Sequence, residues 1–151
     1  MTIDIKKQLF QACIDYVQGR IAAAKQAIDD AQAASEDETK SSAGDKYETG
    51  REMMQQVTDR NMAQLNEANK LKVQLSQIRP EHSSETAETG SLVVTDNGKF
   101  YIAISAGSIK IDTETYFAVS PASPVGLKLK GLKVGNKFSL NEKHYLIKEV
   151  I

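Results

Sequence analysis

The first half of the chain has hydrophobic residues at helical spacing. Phe10, Ile14, Val17, Ile21, Ala24, Ile28 and Ala31 follow one another at intervals of 4, 3, 4, 3, 4 and 3. That narrow stripe predicts the seam of a coiled coil rather than the broad buried face of a globular helix. A second run, from about residue 42 to residue 78, repeats the interval at Met54, Val57, Asn61, Gln64, Ala68, Leu71, Leu75 and Ile78. Met53, Met62 and Leu65 flank it. Two helices of similar length with a short connection fold back on each other, so the pattern predicts an antiparallel hairpin over residues 1–79 with its tip at about 36–46. Each arm would span ~50 Å. Pro80 ends the second helix, and the Ser, Thr, Glu and Gly of residues 80–91 predict a linker.

From residue 92 the period changes to that of strands. "SLVVT" and "KFYIAIS" flank Asp96-Asn97-Gly98, a strong hairpin signal. "SIKID" and "TYFAVS" follow across a short acidic turn, and "KFSL" and "HYLIKEVI" close the chain around Asn141-Glu142. Between these pairs lies "SPVGLKLKG". Ser123 suits an N-cap, Pro124 the first helical position and Gly131 the residue after the last turn, which predicts one short helix. The fold class is α+β: an N-terminal antiparallel coiled-coil hairpin, then a small α+β domain at residues 92–151.

Composition changes this picture little. Hydrophobic residues make up 40% of 151 residues and aromatics 6%, which suits a chain that is elongated or buried on one side only. The single cysteine, Cys13, rules out an internal disulfide. No apolar run is long enough for a membrane span, and the first residues lack a signal-peptide core. A cytoplasmic monomer is expected. Charge is uneven. The net charge is −1, yet from Gly98 onward eight lysines face Asp112, Glu114, Glu142 and Glu149, an excess of four positive charges. A mildly basic domain is compatible with contact to nucleic acid or to an acidic protein surface, but an ordinary solvated surface accounts for it more simply.

Two segments carry a resemblance to a known family. "SPVGLKLKGLKVGNKF", Ser123 to Phe138, resembles without a gap the Ser-Pro-Leu-Gly-x-x-Leu-x-Gly-x-x-Val-Gly-Asp signature of the GreA/GreB transcription elongation factors. It matches at Ser123, Pro124, Gly126, Leu129, Gly131, Val134 and Gly135, with Asn136 in place of Asp. The closing "YLIKEV" is similar to that family's last strand, and "DKYETGRE" resembles its tip through Tyr47, Arg51 and Glu52. The resemblance covers the whole architecture. It implies an FKBP-like second domain that binds RNA polymerase, with Ser123, Pro124, Lys128, Lys130 and Lys133 as candidate polymerase-facing residues. It also implies a hairpin tip that enters the secondary channel near the RNA 3′ end. In cleavage factors of this family, tip acids help hold a second Mg²⁺ shared with the polymerase, as a two-metal site requires. No intrinsic metal or cofactor is implied, and the factor is not itself an enzyme.

The tip departs from the family. Cleavage factors carry Asp and Glu seven and four residues before the tip Tyr, and here Lys40 and Ala43 stand there. Asp37, Glu38 or Asp45 would serve only if the tip were shifted. Asp45 also fits a capping box with Ser42, and the other two fit a solvated turn. A Gre-like regulator that fills the channel without cleavage, even as an inhibitor, therefore stays open beside the cleavage factor. A coiled-coil adaptor with an unrelated partner explains the heptads but not the signature. Nothing in the sequence brings Cys13, His82 and His144 together for nucleophilic or zinc chemistry. A prolyl isomerase would need an aromatic pocket from a set that the strands themselves require: Phe100, Tyr101, Tyr116, Phe117, Phe138 and Tyr145.

Overall fold

The computed structural model describes the backbone of residues 2–40 and 44–151, and the side chains of residues 3–34 and 50–151. The elements run α1 (Thr2–Lys40), α2 (Gly44–Ser76), β1 (Leu92–Thr95), β2 (Gly98–Ile102), β3 (Gly107–Ile111), β4 (Glu114–Val119), α3 (Pro124–Leu129), β5 (Lys137–Leu140) and β6 (Lys143–Val150). The class is α+β, a long helix pair followed by a mixed six-stranded sheet. The chain divides into two compact units: residues 17–72, and residues 1–16 together with 73–151.

The first of these units holds the middle of α1 and most of α2. On α1 the buried residues are Val17, Ala24, Ile28 and Ala31, four of the expected stripe. On α2, Ala68 is fully buried, and Met54, Val57, Asn61, Leu65 and Leu71 are half-buried. Gln64, expected in the stripe, is exposed, and Leu65 takes the buried side. At this turn a leucine rather than an amide lies on the covered side, which is the cheaper arrangement. Asn61 stays in the stripe by donating its amide to the Val57 carbonyl of its own helix at 2.9 Å. The outer faces carry local pairs, Gln26–Asp30, Gln55–Asp59 and Glu67–Lys70, at 2.9 to 3.1 Å. Such i,i+3 and i,i+4 contacts each support a solvated helix by a few tenths of a kcal/mol.

The second unit is built on the sheet, in the order β3-β4-β2-β1-β6-β5. β1 and β2 pair antiparallel across the Asn97 turn, where Thr95 Oγ1 donates to the Gly98 carbonyl at 2.8 Å and accepts from Asn97 N at 3.1 Å. β3–β4 and β5–β6 are further antiparallel pairs, turning at Asp112 and at Asn141-Glu142, all three with positive φ. β2 and β4 pair in parallel.

Alternation then sorts side chains to two faces. Val93, Phe100, Ile102 and Ile147 form one core with Leu129 of α3 and with Ala87. Ala87 lies in the expected linker and is 1% exposed. Its N–H donates to the Leu132 carbonyl and its carbonyl accepts from Gly131 N, both at 2.8 Å. The segment 80–91 is thus pinned onto the sheet unit. Leu92, Tyr101 and Tyr116 point the other way, toward the first turns of α1.

That second face corrects the start of the helical stripe. In residues 1–16 the buried positions are Lys6, Leu9 and Cys13, whereas Phe10 and Ile14 are only half-buried. Here α1 lies on the sheet, and Ile5 shares a cleft of about 290 Å³ with Leu92, Val94 and Tyr116. A sheet presents a broad apolar surface, so the helix buries a different side there.

Candidate partner-binding face and tip

The Ser123–Phe138 segment owes its shape to local chemistry. Ser123 adopts an extended conformation before α3. Its hydroxyl accepts from Gly126 N at 3.1 Å and donates to the Ser120 carbonyl at 2.6 Å. Pro124 fills the first helical position, where its missing N–H costs nothing. Gly126 is forced by space: a Cβ there would stand 2.1 Å from the Ser120 carbonyl oxygen. Leu129 is wholly buried in the core, and Gly131 takes φ +85° as the chain leaves the helix.

The next turn explains the departure from the signature. Asn136 Oδ1 accepts a hydrogen bond from Lys133 N at 2.8 Å, and Asn136 N donates to the Lys133 carbonyl at 3.0 Å. An aspartate carboxylate would accept the same bond. Gly135 N and the Asn136 carbonyl then join β6 at Ile147, at 2.8 and 2.9 Å. The signature residues thus have structural tasks: Ser123 caps, Gly126 and Leu129 are buried, and Gly131, Gly135 and Asn136 make turns at the surface.

What remains outside is a mixed surface. Pro124, Lys128, Lys130 and Lys133 are exposed, as are two large apolar residues that sequence reasoning missed, Leu127 at 64% and Val134 at 58%. Leu127 carries a signal in hindsight. It lies two residues from both Val125 and Leu129, and on a helix that offset points away from the buried side. Ser123, by contrast, has its hydroxyl committed to the cap.

The tip candidates fall differently. Asp37 and Glu38 are in the last turn of α1 and Asp45 and Tyr47 in the first turn of α2. The side chains of all four, like those of Lys40 and Ala43, lie outside the described residues. Arg51 and Glu52 are exposed on α2.

The other weighed residues have local roles. Cys13 is fully buried, and burial pushes its thiol up to about 11, so it is protonated and unreactive at neutral pH. The Tyr101 hydroxyl is buried with no hydrogen-bond partner among the described residues. Its phenol is pushed well above its ordinary range by burial first and by Cys13 second. His82 Nε2 lies 3.5 Å from Glu88 Oε1, and His144 Nδ1 lies 2.7 Å from Ser139 Oγ on the neighbouring strand. Among the described residues, no three His, Cys, Asp or Glu side chains are placed to hold a metal, and no helix is long and apolar enough to cross a membrane. The aromatic rings pack on one another: Phe138 stacks on Tyr145 at 4.7 Å, and Phe100 meets Tyr145 and Phe117 at 6.0 Å each.

Comparison with protein-family models, curated proteins and solved structures finds no match to this chain.

Proposed function

We propose that this chain is a Gre-like transcription elongation factor. On this reading residues 92–151 form an FKBP-like domain that docks on RNA polymerase, and α1 and α2 form a coiled-coil hairpin whose tip enters the secondary channel and modulates elongation. The observation that carries it is Asn136. The signature is departed from at two positions, Val125 for Leu and Asn136 for Asp, and the second replaces a carboxylate with an amide oxygen that makes the turn-closing bond to Lys133 N at 2.8 Å. A segment that keeps its capping serine, its sterically required glycine and an acceptor at the variable position resembles the family in physical role as well as in letters.

Two forms of this activity differ at the tip. In one, Asp37, Glu38 or Asp45 completes a Mg²⁺ shared with the polymerase and stimulates cleavage of backtracked RNA. In the other, the factor occupies the channel without cleavage. The presence of Lys40 and Ala43 at the family's metal-binding positions favours the second, because neither side chain is a ligand for a hard cation.

Two experiments test the proposal. Tagged chain incubated with core RNA polymerase should retain it at about micromolar concentration; failure to do so would return the protein to the adaptor class. A backtracked elongation complex with Mg²⁺ then separates the two forms. Faster release of short 3′ RNA, abolished by Asp37→Ala with Glu38→Ala or by Asp45→Ala, identifies a cleavage factor. Unchanged cleavage with slowed elongation identifies the non-cleaving regulator.

A further inference from the structure

The turn between β1 and β2 holds the one asparagine of the chain that precedes a glycine. The other five, Asn61, Asn66, Asn69, Asn136 and Asn141, precede residues with long side chains. Asn97 is exposed, and Gly98 takes φ +141°, which glycine tolerates and a residue with a Cβ rarely adopts. The main-chain nitrogen of residue 98 therefore has no side chain beside it to hinder its approach to the Asn97 carboxamide.

In the closed turn both of these groups are held. Asn97 Nδ2 donates to the His144 carbonyl of β6 at 2.7 Å. Thr95 and Gly98 face each other as the last pair of the β1–β2 ladder. The closing pair of a two-residue hairpin exchanges main-chain hydrogen bonds, so the Gly98 N–H is spent on Thr95. Thr95 is buried, and its Oγ1 donates to the Gly98 carbonyl at 2.8 Å and accepts from Asn97 N at 3.1 Å. Asp96 fixes the same turn to β6. Its N–H donates to the Leu146 carbonyl at 3.1 Å, and its Oδ1 accepts from Leu146 N at 2.8 Å. Asn97 and Gly98 thus sit in a turn that must open before they can react.

We propose that Asn97 is a site of spontaneous deamidation, gated by opening of this turn, and that the product cannot close the turn as before. The Gly98 nitrogen gives its proton to solvent and bonds to Asn97 Cγ. The Cγ–Nδ2 bond breaks and ammonia leaves, which gives a cyclic imide. Water then adds to one of the two imide carbonyls and opens the ring, as aspartate or as isoaspartate. The sum is amide plus water to carboxylate plus ammonium, with no change of oxidation state. Either product lacks the N–H donor and sets a carboxylate against the His144 carbonyl. Isoaspartate also routes the main chain through the side-chain carbons. That adds one atom between residues 97 and 98 and spoils the register of Thr95 with Gly98. The change is not reversed, so the modified fraction records how often the turn has opened. The site needs only residues of the sheet unit and does not depend on the polymerase reading.

The test is to incubate the full chain in mildly alkaline buffer, with and without guanidinium chloride, and to follow the tryptic peptide Val73–Lys99 by chromatography and mass spectrometry. Asn97 should convert ahead of every other asparagine, to two separable products of equal mass, aspartate and isoaspartate. The rate in the folded chain should lie more than about tenfold below that in the unfolded chain, as for other events that wait on local opening. Thr95→Val, which removes both Oγ1 bonds and keeps a β-branched side chain, should speed the folded-state reaction. Asn97→Asp, which imitates one product, should lower the melting temperature by a few degrees through the lost donor. Four results would overturn the proposal: another asparagine reacting faster, a single product, equal rates in folded and unfolded chain, or an Asn97→Asp melting temperature equal to the parent's.

Discussion

The α-carbon of Gly126 sits so close to the Ser120 carbonyl that a Cβ on residue 126 would lie 2.1 Å from that oxygen and 3.1 Å from the Pro121 carbonyl carbon. Both neighbours are backbone and cannot swing aside. Gly126→Ala should therefore displace α3 or the preceding turn and cost about 3 kcal/mol, as overpacking does. Gly131→Ala is the informative contrast. Its φ is +85°, yet nothing lies within 4 Å of the added carbon, so only the left-handed backbone penalty of about 1 kcal/mol applies. Urea unfolding of the two variants should rank them in that order. Equal losses would mean that backbone conformation, not space, fixes Gly126.

Asn136 offers a second stability test. Its side-chain oxygen satisfies Lys133 N at 2.8 Å. Asn136→Asp retains an acceptor and should leave the melting temperature nearly unchanged. Asn136→Ala leaves the N–H to water and should cost about 1 kcal/mol. A large loss for the aspartate variant would show that the amide nitrogen, not the oxygen, matters.

Cys13 gives a pH signature. Its thiol rises from an ordinary 9.0 to about 11 in the folded chain because burial opposes the thiolate. Below pH 9 both states are protonated and the shift has no effect. As pH climbs from 9 to 11 the unfolded chain ionises first, so the folded state loses stability over that window. Lys6 is lowered by burial, Lys99 is raised by its bond to Glu114, and Tyr101 is raised by burial, and all three are present in the parent and in a Cys13 variant alike. The clean observable is therefore the difference between the parent and Cys13→Ala. At pH 8 the parent should be the more stable, because the variant leaves a small void. By pH 11 that gap should shrink by about 2 kcal/mol. A gap independent of pH would mean that the thiol is not desolvated. At neutral pH, Cys13 should react with a thiol reagent only at the rate of opening.

How far these features could be read in advance depended on range. The turn at Asn97 and the bounds of α3 were legible because each is set by neighbours within a few residues: Asn-Gly for the turn, Ser-Pro and Gly for the helix. Five expected apolar positions on α1, from Val17 to Ala31, hold as buried or half-buried for the same reason, a simple period. The stripe failed at Phe10 and Ile14, where a sheet rather than a helix covers α1, and at Gln64, where the adjacent Leu65 is the covered residue. The parallel pairing of β2 with β4 has no local signal, since alternation names a strand's faces and not its partner. On the α3 face, Lys128, Lys130 and Lys133 were picked out by charge. Leu127 and Val134 were passed over because apolar residues within a signature look like core.

Those two residues give the sharpest test of the proposed docking face. Large apolar side chains exposed at 64% and 58% beside Pro124 and three lysines contribute little to folding in the free protein. At a protein interface their burial would be worth about 2 kcal/mol each. Leu127→Asp combined with Val134→Asp should leave the melting temperature within a few degrees of the parent. It should also reduce capture of RNA polymerase by more than about tenfold, since a buried unpaired carboxylate adds its desolvation cost to the lost contact. Leu129→Ala, from the wholly buried side of the same helix, should do the reverse. It should cost about 3 kcal/mol of stability and weaken capture only in proportion to unfolding. Full capture by the double aspartate variant would place the docking surface elsewhere on the sheet unit and leave Leu127 and Val134 as ordinary exposed side chains.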